Sequence, residues 1–250
     1  MGAVTNSAHP PVRTAVVWKS LSTALGGLVK TSGRQELAVA DVGGGTGGFA
    51  VPIAELGHRV TVVDPSPNAL ATLERRAKDA GVADRVQARQ GEAANLADIV
   101  GSEQADVVVC HGVLEIADDP QAAAAGLHTA LRPGGLASVL VAQRHAAVLA
   151  RAVAGHLADA LQVMRSPAGH WATGDPLPRR FDEASITALL EDAGFAIESI
   201  HGVRVFTDLV PGETIDEPSR SRELLELETA AGQEPALRAI AGQLHVLAVR

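Results

Sequence analysis

The chain has 250 residues, a formal net charge of −8 and a hydrophobic fraction of 46%, which is enough to bury one full α/β core and too acidic to coat nucleic acid through bulk charge. Its single cysteine, Cys110, excludes an internal disulfide and any cysteine cluster for zinc or an iron–sulfur centre. No apolar run reaches the ~18 residues of a membrane helix, and the start "MGAVTNSAHPPVR" lacks the order of a signal peptide or a myristoylation site, so the expectation is a soluble cytoplasmic protein with residues 1–11 flexible.

Pro10 and Pro11 open a helical pattern over "RTAVVWKSLSTALGGLV", and the strand "LAVADV" runs from it into a cluster of glycines. "FAVPIAELG" continues as a helix closed by Gly57, and "RVTVVD" is a β-branched strand ending on Asp64. "PNALATLERRAKDAG" reads as an amphipathic helix stopped by Gly81, "RVQARQ" as a weaker strand, and "ADVVVCHG" as a strand apolar throughout, the pattern of a central parallel strand. The helix "PQAAAAGLHTALRPGG" and the strand "LASVLVA" follow. Helix after strand, repeated, predicts a doubly wound parallel sheet.

Beyond residue 142 the rhythm changes to one helical stretch from about Ala146 to Met164 and a Pro- and Gly-rich loop, "RSPAGHWATGDPLPRR". A helix capped by Asp182 comes next, then a strand from "FAIESIHGVRVFTDLV" that extends through or bends at Gly202, helices at "SRSRELLELETAAG" and "PALRAI", and a last strand, "QLHVLAVR". Residues 1–250 read as a single domain.

The stretch "LAVADVGGGTGGFAVPIAELGHRVTVVD" carries the chemistry. Gly43, Gly45 and Gly48 satisfy G-x-G-x-x-G, and Asp64 stands at the spacing of roughly 20 residues expected of a ribose-binding acid. Nicotinamide dehydrogenases and S-adenosylmethionine (SAM) methyltransferases both build such a turn, because backbone N–H groups must approach the ligand. Asp41, two residues before the first glycine, makes the pattern D-x-G-x-G-x-G, and this resembles the first motif of class I methyltransferases more than the dehydrogenase fingerprint. "VVVCHGVLEIADDP" and "LRPGG" resemble that family's fourth- and fifth-strand motifs.

The resemblance implies a Rossmann-like class I methyltransferase fold, a mostly parallel seven-stranded sheet with helices on both faces, and SAM as cofactor. Gly43, Gly44 and Gly45 would lie against its methionine end, the Asp64 carboxylate would accept both ribose hydroxyls, and Glu92 and Ala93 would meet the adenine edge. Helix capping before "PNAL" is the structural alternative for Asp64, and Asp118 and Asp119 before Pro120 read as caps. Cys110 reads as core.

Further stretches, "RTAVVWKSL", "HGVLE", "VAG", "GVRVF" with Asp208, "LLELE", "QEP" and the closing "HV", are together similar to the bacterial tRNA 5-carboxymethoxyuridine methyltransferases, which methylate a carboxylate on the wobble uridine. By this resemblance Arg13, Gly43, Gly44, Asp64, Ala93, Ala94 and His111 contact SAM, Arg13 at its carboxylate. A histidine merely packed at a strand end is the alternative for His111. Those relatives carry tyrosines and a lysine-rich loop, whereas this chain has no tyrosine and no lysine after Lys78.

Residues 143–181 stand where methyltransferases build a substrate cap, and Arg144, Arg165, Trp171, Arg179 and Arg180 become the expected substrate contacts, with solvated helix faces as the alternative. The expected partner is tRNA, otherwise a small anionic metabolite, with no membrane and no metal. His111 and Glu115 are the candidate bases, and neither residue declares itself one, which favours an acceptor already ionised. Three other readings stay open: a small-molecule O- or N-methyltransferase, a SAM-binding regulator without catalysis, and an NAD-dependent oxidoreductase.

Overall fold

In the computed structural model the described residues are 12–171 and 174–250, so the segment 1–11, expected to be flexible, lies outside them. Helix α1 (Val12–Ser32) leads into β1 (Ala38–Val42), α2 (Ala50–Glu55), β2 (Arg59–Asp64), α3 (Pro67–Asp79) and β3 (Val86–Gln90). The chain continues through α4 (Leu96–Val100), β4 (Ala105–His111), α5 (Pro120–Ala130) and β5 (Leu131–Ala142). After it come α6 (Arg144–Val153), α7 (Leu157–Arg165), α8 (Glu183–Asp192), β6 (Ala196–Val203), α9 (Gly212–Asp216), α10 (Pro218–Ala231), α11 (Pro235–Arg238) and β7 (Gln243–Val249).

The seven described strands form one sheet in the order β3-β2-β1-β4-β5-β7-β6. The first five pair in parallel, and β7 lies antiparallel between β5 and β6. β4 buries six of its residues and leaves only His111 partly open, because both faces of the sheet are covered. Leu21 and Leu25 of α1, Ile53 of α2 and Leu73 of α3 pack on one face against Val39, Val62 and Val109. Leu127 of α5 and Ile186 and Leu190 of α8 pack on the other against Ala40, Val108 and Val139.

Local signals place most helix starts. Ser66 accepts from Ala69 N and caps α3, Asp119 accepts from Ala122 N at 2.9 Å with Pro120 behind it, and Asp182 and Ser185 form a reciprocal capping box on α8. Several details differ from expectation, and the end of β6 settles that this strand runs through Gly202. The stretch expected as one helix over 146–164 is two, α6 and α7, because the chain breaks at Gly155, whose φ is +80°. β5 starts at Leu131 rather than Leu136, since Arg132–Gly135 loops out along β4 while the register slips between Ala105 and Val107. β6 stops at Val203, where Arg204 takes a φ of +62° and turns the chain away. The short helix α4 follows β3 where no helix was expected.

The segment from Arg144 to Arg180 leaves the carboxyl end of β5 and returns beside it. A parallel bridge joins Gln143 to Phe181, Arg144 N donates to Phe181 O at 2.8 Å, and Phe181 N donates to Ala142 O at 3.0 Å. The excursion is therefore held on the edge of the sheet where β1, β2 and β4 also end. Among the described residues no helix is long and apolar enough to cross a membrane.

Candidate active site

The first turn after β1 is built so that only glycine fits. Gly43 has φ +67°, and a Cβ there would lie 2.3 Å from Val113 Cγ2; Gly45 has φ +54°. A Cβ on Gly44 would lie 2.4 Å from Asp41 Oδ2, so this glycine rests directly on the Asp41 carboxylate. Asp64, buried at the end of β2, accepts from Gly45 N at 3.0 Å through Oδ2 and from Ser66 N at 2.8 Å through Oδ1. Each oxygen keeps a lone pair for a further donor. Since Ser66 caps α3, Asp64 stands at the turn instead of serving the helix.

Asp41 is buried, and its Oδ2 has no hydrogen-bond partner among the described residues. Burial, followed by the negative charge of Asp64, pushes its carboxyl up to about 7. A buried, unmatched carboxylate oxygen against a glycine turn is what a cationic ligand neutralises. The methionine end of SAM carries an ammonium and a sulfonium, and its ribose carries two vicinal hydroxyls, so Asp41 and Asp64 fit this cofactor in charge and in donor–acceptor sense.

Past β3, Glu92 is exposed at the start of a single helical turn, Ala93–Asn95, with Ala93 buried and Ala94 exposed. The Ala93 and Ala94 carbonyls sit against Gly126 of α5, where a Cβ would come within 2.5 Å of Ala93 O. The Arg13 side chain lies outside the described residues.

At the end of β4, His111 packs edge-on against Phe49, ring centroids 4.6 Å apart, and its Nε2 lies 2.9 Å from Ser138 Oγ. Burial lowers its pKa to about 3, so the ring is neutral. Glu115 is buried; its Oε1 accepts from Ala142 N at 2.6 Å, and its Oε2 has no partner among the described residues. Burial raises the Glu115 pKa, partly offset by backbone N–H groups and by the charges of Arg179 and Arg180. Asp119, in contrast, is spent on capping α5.

The five residues expected to meet substrate are brought to one region but not to one surface. Arg180 is buried in a two-point ion pair with Asp175, at 2.7 and 2.8 Å, and its guanidinium lies 4.4 Å from the Trp171 ring centroid. Trp171 is itself buried, with Arg151 on it at 3.7 Å. Arg144 donates to Pro167 O at 2.7 Å and pairs with Asp182 at 3.4 Å. Arg179 donates to Leu114 O and Ala117 O, tying the segment between β5 and α8 to the loop after β4. Arg165 is exposed and has no ion-pair partner among the described residues. Reasoning from sequence gave no role to Val113, Ser138, Asp175 and His245, although Val113 stands in "HGVLE" and His245 in the closing "HV". Cys110 is fully buried with its thiol pKa pushed up, as a core residue. No group of three or more His, Cys, Asp or Glu among the described residues is placed to hold a metal ion.

A family model described as a methyltransferase domain matches residues 40–137. Solved structures share the architecture: a SAM-dependent methyltransferase from Mesorhizobium loti superposes with TM-score 0.60 at 17% identity over 96% of this chain and 100% of that one. The magnesium protoporphyrin IX methyltransferase of Synechocystis PCC 6803, solved with bound SAH, gives TM-score 0.61 at 16% identity over 100% of this chain and 90% of that one. Sheet order, glycine turn and paired aspartates define a Rossmann-like SAM-dependent methyltransferase. The tRNA 5-carboxymethoxyuridine methyltransferase of Escherichia coli K12 is 32% identical over 241 residues, 95% of this chain and 87% of that protein, and the chain belongs to its family. A ubiquinone biosynthesis O-methyltransferase from Azorhizobium caulinodans is 31% identical over 174 residues, 67% of this chain and 62% of that protein.

Proposed function

We propose that this methyltransferase esterifies a carboxylate on an anionic acceptor, and that the acceptor is 5-carboxymethoxyuridine in tRNA, a reaction of the cytoplasm. The observation that carries the reading is the likeness to the Escherichia coli enzyme across 95% of the chain. A C–O bond forms at the acceptor carboxylate while the C–S bond of the cofactor breaks, leaving S-adenosylhomocysteine as a neutral thioether. The nucleophile is ionised at neutral pH and has no proton to lose. That suits a site whose two candidate bases are a neutral histidine with one nitrogen on Ser138 and a buried glutamate holding Ala142 N.

In this reading Asp64 takes the ribose hydroxyls, Asp41 faces the cationic methionine end, Arg13 takes the methionine carboxylate, and Glu92, Ala93 and Ala94 line the adenine. His111 closes the reacting end, and residues 143–181 form the cap over it. Catalysis is then positioning in a dry pocket where opposite charges cancel. The test is mass spectrometry of tRNA nucleosides from cells with the gene, without it, and with Asp64→Ala. The expected result is a methyl ester of 5-carboxymethoxyuridine in the first cells alone. If the ester is absent from all three, or unchanged among them, the tRNA assignment fails and a small carboxylate metabolite takes its place.

A further inference from the structure

Ser138 and His245 lie on strands remote in sequence from the glycine turn, yet they end on His111. In the sheet Leu140 pairs with His111 on one side and with His245 on the other, and His245 pairs in turn with His201. Paired residues share a face, and Ser138, two residues before Leu140, points the same way. Ser138 Oγ lies 2.9 Å from His111 Nε2 and 2.8 Å from His245 Nε2. Ser138 and His245 are completely buried. The Nδ1 atoms of His111 and His245 are also buried and have no partner among the described residues. His201 stands 6.5 Å from His245 between ring centroids, without a hydrogen bond, so the chain of bonds stops at His245.

Both histidines are neutral, because burial holds their pKa values well below the ordinary range, and each therefore has one N–H. Two tautomers at each ring give four arrangements around the one serine hydroxyl. If neither Nε2 carries hydrogen, that hydroxyl serves only one ring and the deep Nδ1–H of His245 is stranded. If both Nε2 atoms carry hydrogen, the buried serine O–H has no acceptor. If His111 alone carries hydrogen on Nε2, the serine donates to His245 and the deep Nδ1–H of His245 is stranded whatever binds. If His245 carries hydrogen on Nε2, it donates to Ser138, Ser138 donates to His111 Nε2, and the unmatched donor is His111 Nδ1–H at the end of β4, beside the glycine turn. Only this last arrangement satisfies every N–H and O–H once an acceptor atom lies against His111, and it strands a lone pair in the core, a smaller defect than a stranded donor.

We propose that His245 and Ser138 are positioning residues that hold His111 in its Nδ1–H tautomer, so that it presents a hydrogen-bond donor to a carboxylate oxygen in the site. The inference rests on the cofactor lying over the glycine turn. The carboxylate belongs either to the methionine moiety of the cofactor or to the acceptor, and the two sources give different responses.

The experiment is ¹⁵N NMR of the histidine rings in the full chain, using long-range ¹H–¹⁵N correlations that tell a protonated ring nitrogen from a bare one. The expected pattern for His111 is protonated Nδ1 and bare Nε2, with the reverse at His245. Protonated Nε2 on His111, with or without ligand, overturns the proposal. S-adenosylhomocysteine is then compared with 5′-deoxy-5′-methylthioadenosine, which lacks the carboxylate. A Nδ1 shift with the first alone assigns the cofactor's carboxylate, and a shift only on adding 5-carboxymethoxyuridine assigns the acceptor's. No Nδ1 response to any of them overturns the proposal, provided that Gly44 and Gly45 amides respond to S-adenosylhomocysteine; if those are silent too, the cofactor placement itself is wrong.

Ser138→Ala removes the relay, so His111 should become a mixture of tautomers and S-adenosylhomocysteine or acceptor affinity should fall about fivefold, the worth of one hydrogen bond. His245→Gln, whose amide can donate as Nε2–H does, should keep the tautomer, and His245→Leu should not. An unchanged His111 pattern in Ser138→Ala refutes the relay. If these variants do not fold, the wild-type tautomer decides by itself.

Discussion

Replacing Asp41 by asparagine tests the electrostatics of the site in one step, because it keeps the shape beneath Gly44 and removes the charge. Burial and the Asp64 charge raise the Asp41 carboxyl from 3.8 to about 7, and at ~1.4 kcal/mol per unit ionising it in the cofactor-free protein costs on the order of 4 kcal/mol. The sign follows from proton binding: between pH ~4 and ~7 the folded chain holds a proton that the unfolded chain has lost. Stability therefore falls as pH rises through that window, by at most ~1.4 kcal/mol per unit, and the full penalty is present above it. In Asp41→Asn this slope should vanish. The variant should exceed the wild type above pH 7 by what remains after the roughly 1–3 kcal/mol cost of an unmatched buried amide.

Binding reverses the preference. A cation against Asp41 Oδ2 favours the carboxylate, so at pH 6 binding should expel nearly one proton, and affinity should tighten by up to about tenfold per pH unit below 7 and level off above it. Urea unfolding of the ligand-free proteins from pH 5 to 8.5 measures the first effect. Calorimetry with S-adenosylhomocysteine at pH 6 and 8.5, in two buffers of different protonation enthalpy, measures the second. No proton release at pH 6 in the wild type, or the same pH dependence in Asp41→Asn, refutes the reasoning.

Gly43→Ala puts a Cβ at φ +67° and 2.3 Å from Val113 Cγ2, so it should cost about 1–3 kcal/mol of stability and weaken S-adenosylhomocysteine binding; calorimetry and thermal melting report both. Arg180→Ala leaves the buried Asp175 carboxylate with only the Trp171 and Leu177 N–H groups and should destabilise by roughly 1.5–3 kcal/mol in urea unfolding. Arg165→Ala should stay within about 0.5 kcal/mol of wild type and, if tRNA is the substrate, raise KM rather than lower kcat. Glu228, buried in α10, accepts from the Val205, Phe206 and Thr207 N–H groups and from Thr207 Oγ1. In Glu228→Gln the amide must turn a donor toward one of them, which should cost about 1–3 kcal/mol and loosen the turn after β6, read as faster hydrogen exchange at 205–207.

The cofactor half of the site was legible because its constraints are local. Asp41, Gly43, Gly45 and Asp64 belong to one strand–turn–helix–strand unit, where a positive φ or a carboxylate at a strand end marks its own position. Asp119 and Asp182 were readable as caps for the same reason. His245 was not, since its contact with Ser138 spans 107 residues and depends on the register of an antiparallel strand inserted between β5 and β6. The Arg180–Asp175 pair lies only five residues apart, but in a loop without periodicity nothing in the sequence says that the two side chains turn inward together. Reading those arginines as a surface patch counted charge and had no access to where the charge is spent.

Where it is spent bears on how the proposed cap over residues 143–181 could hold a nucleic acid. Of the cap's arginines, Arg180 is matched by Asp175, Arg144 by Asp182 and Pro167 O, Arg179 by the carbonyls of residues 114 and 117, and Arg151 by Asp159 and the Trp171 face. These residues build the cap, and Arg165 is the one that faces solvent without an ion-pair partner among those described. Beside it, α6 and α7 expose Leu149, Val153, Leu157, Leu161 and Met164. A tRNA loop held here would be gripped by shape and by apolar contact with splayed bases more than by phosphates, as single-stranded RNA commonly is. Each phosphate contact contributes roughly 0.7–0.9 to the slope of log affinity against log salt, and a protein with six to ten of them shows a steep dependence. For this chain the slope should have a magnitude below about 3, measured by titrating Escherichia coli tRNA at 50–300 mM salt, an estimate that follows from counting unpaired cap cations. A slope as steep as six contacts would refute this count, because Arg165 together with Arg144 and Arg180 released from their pairs accounts for only three.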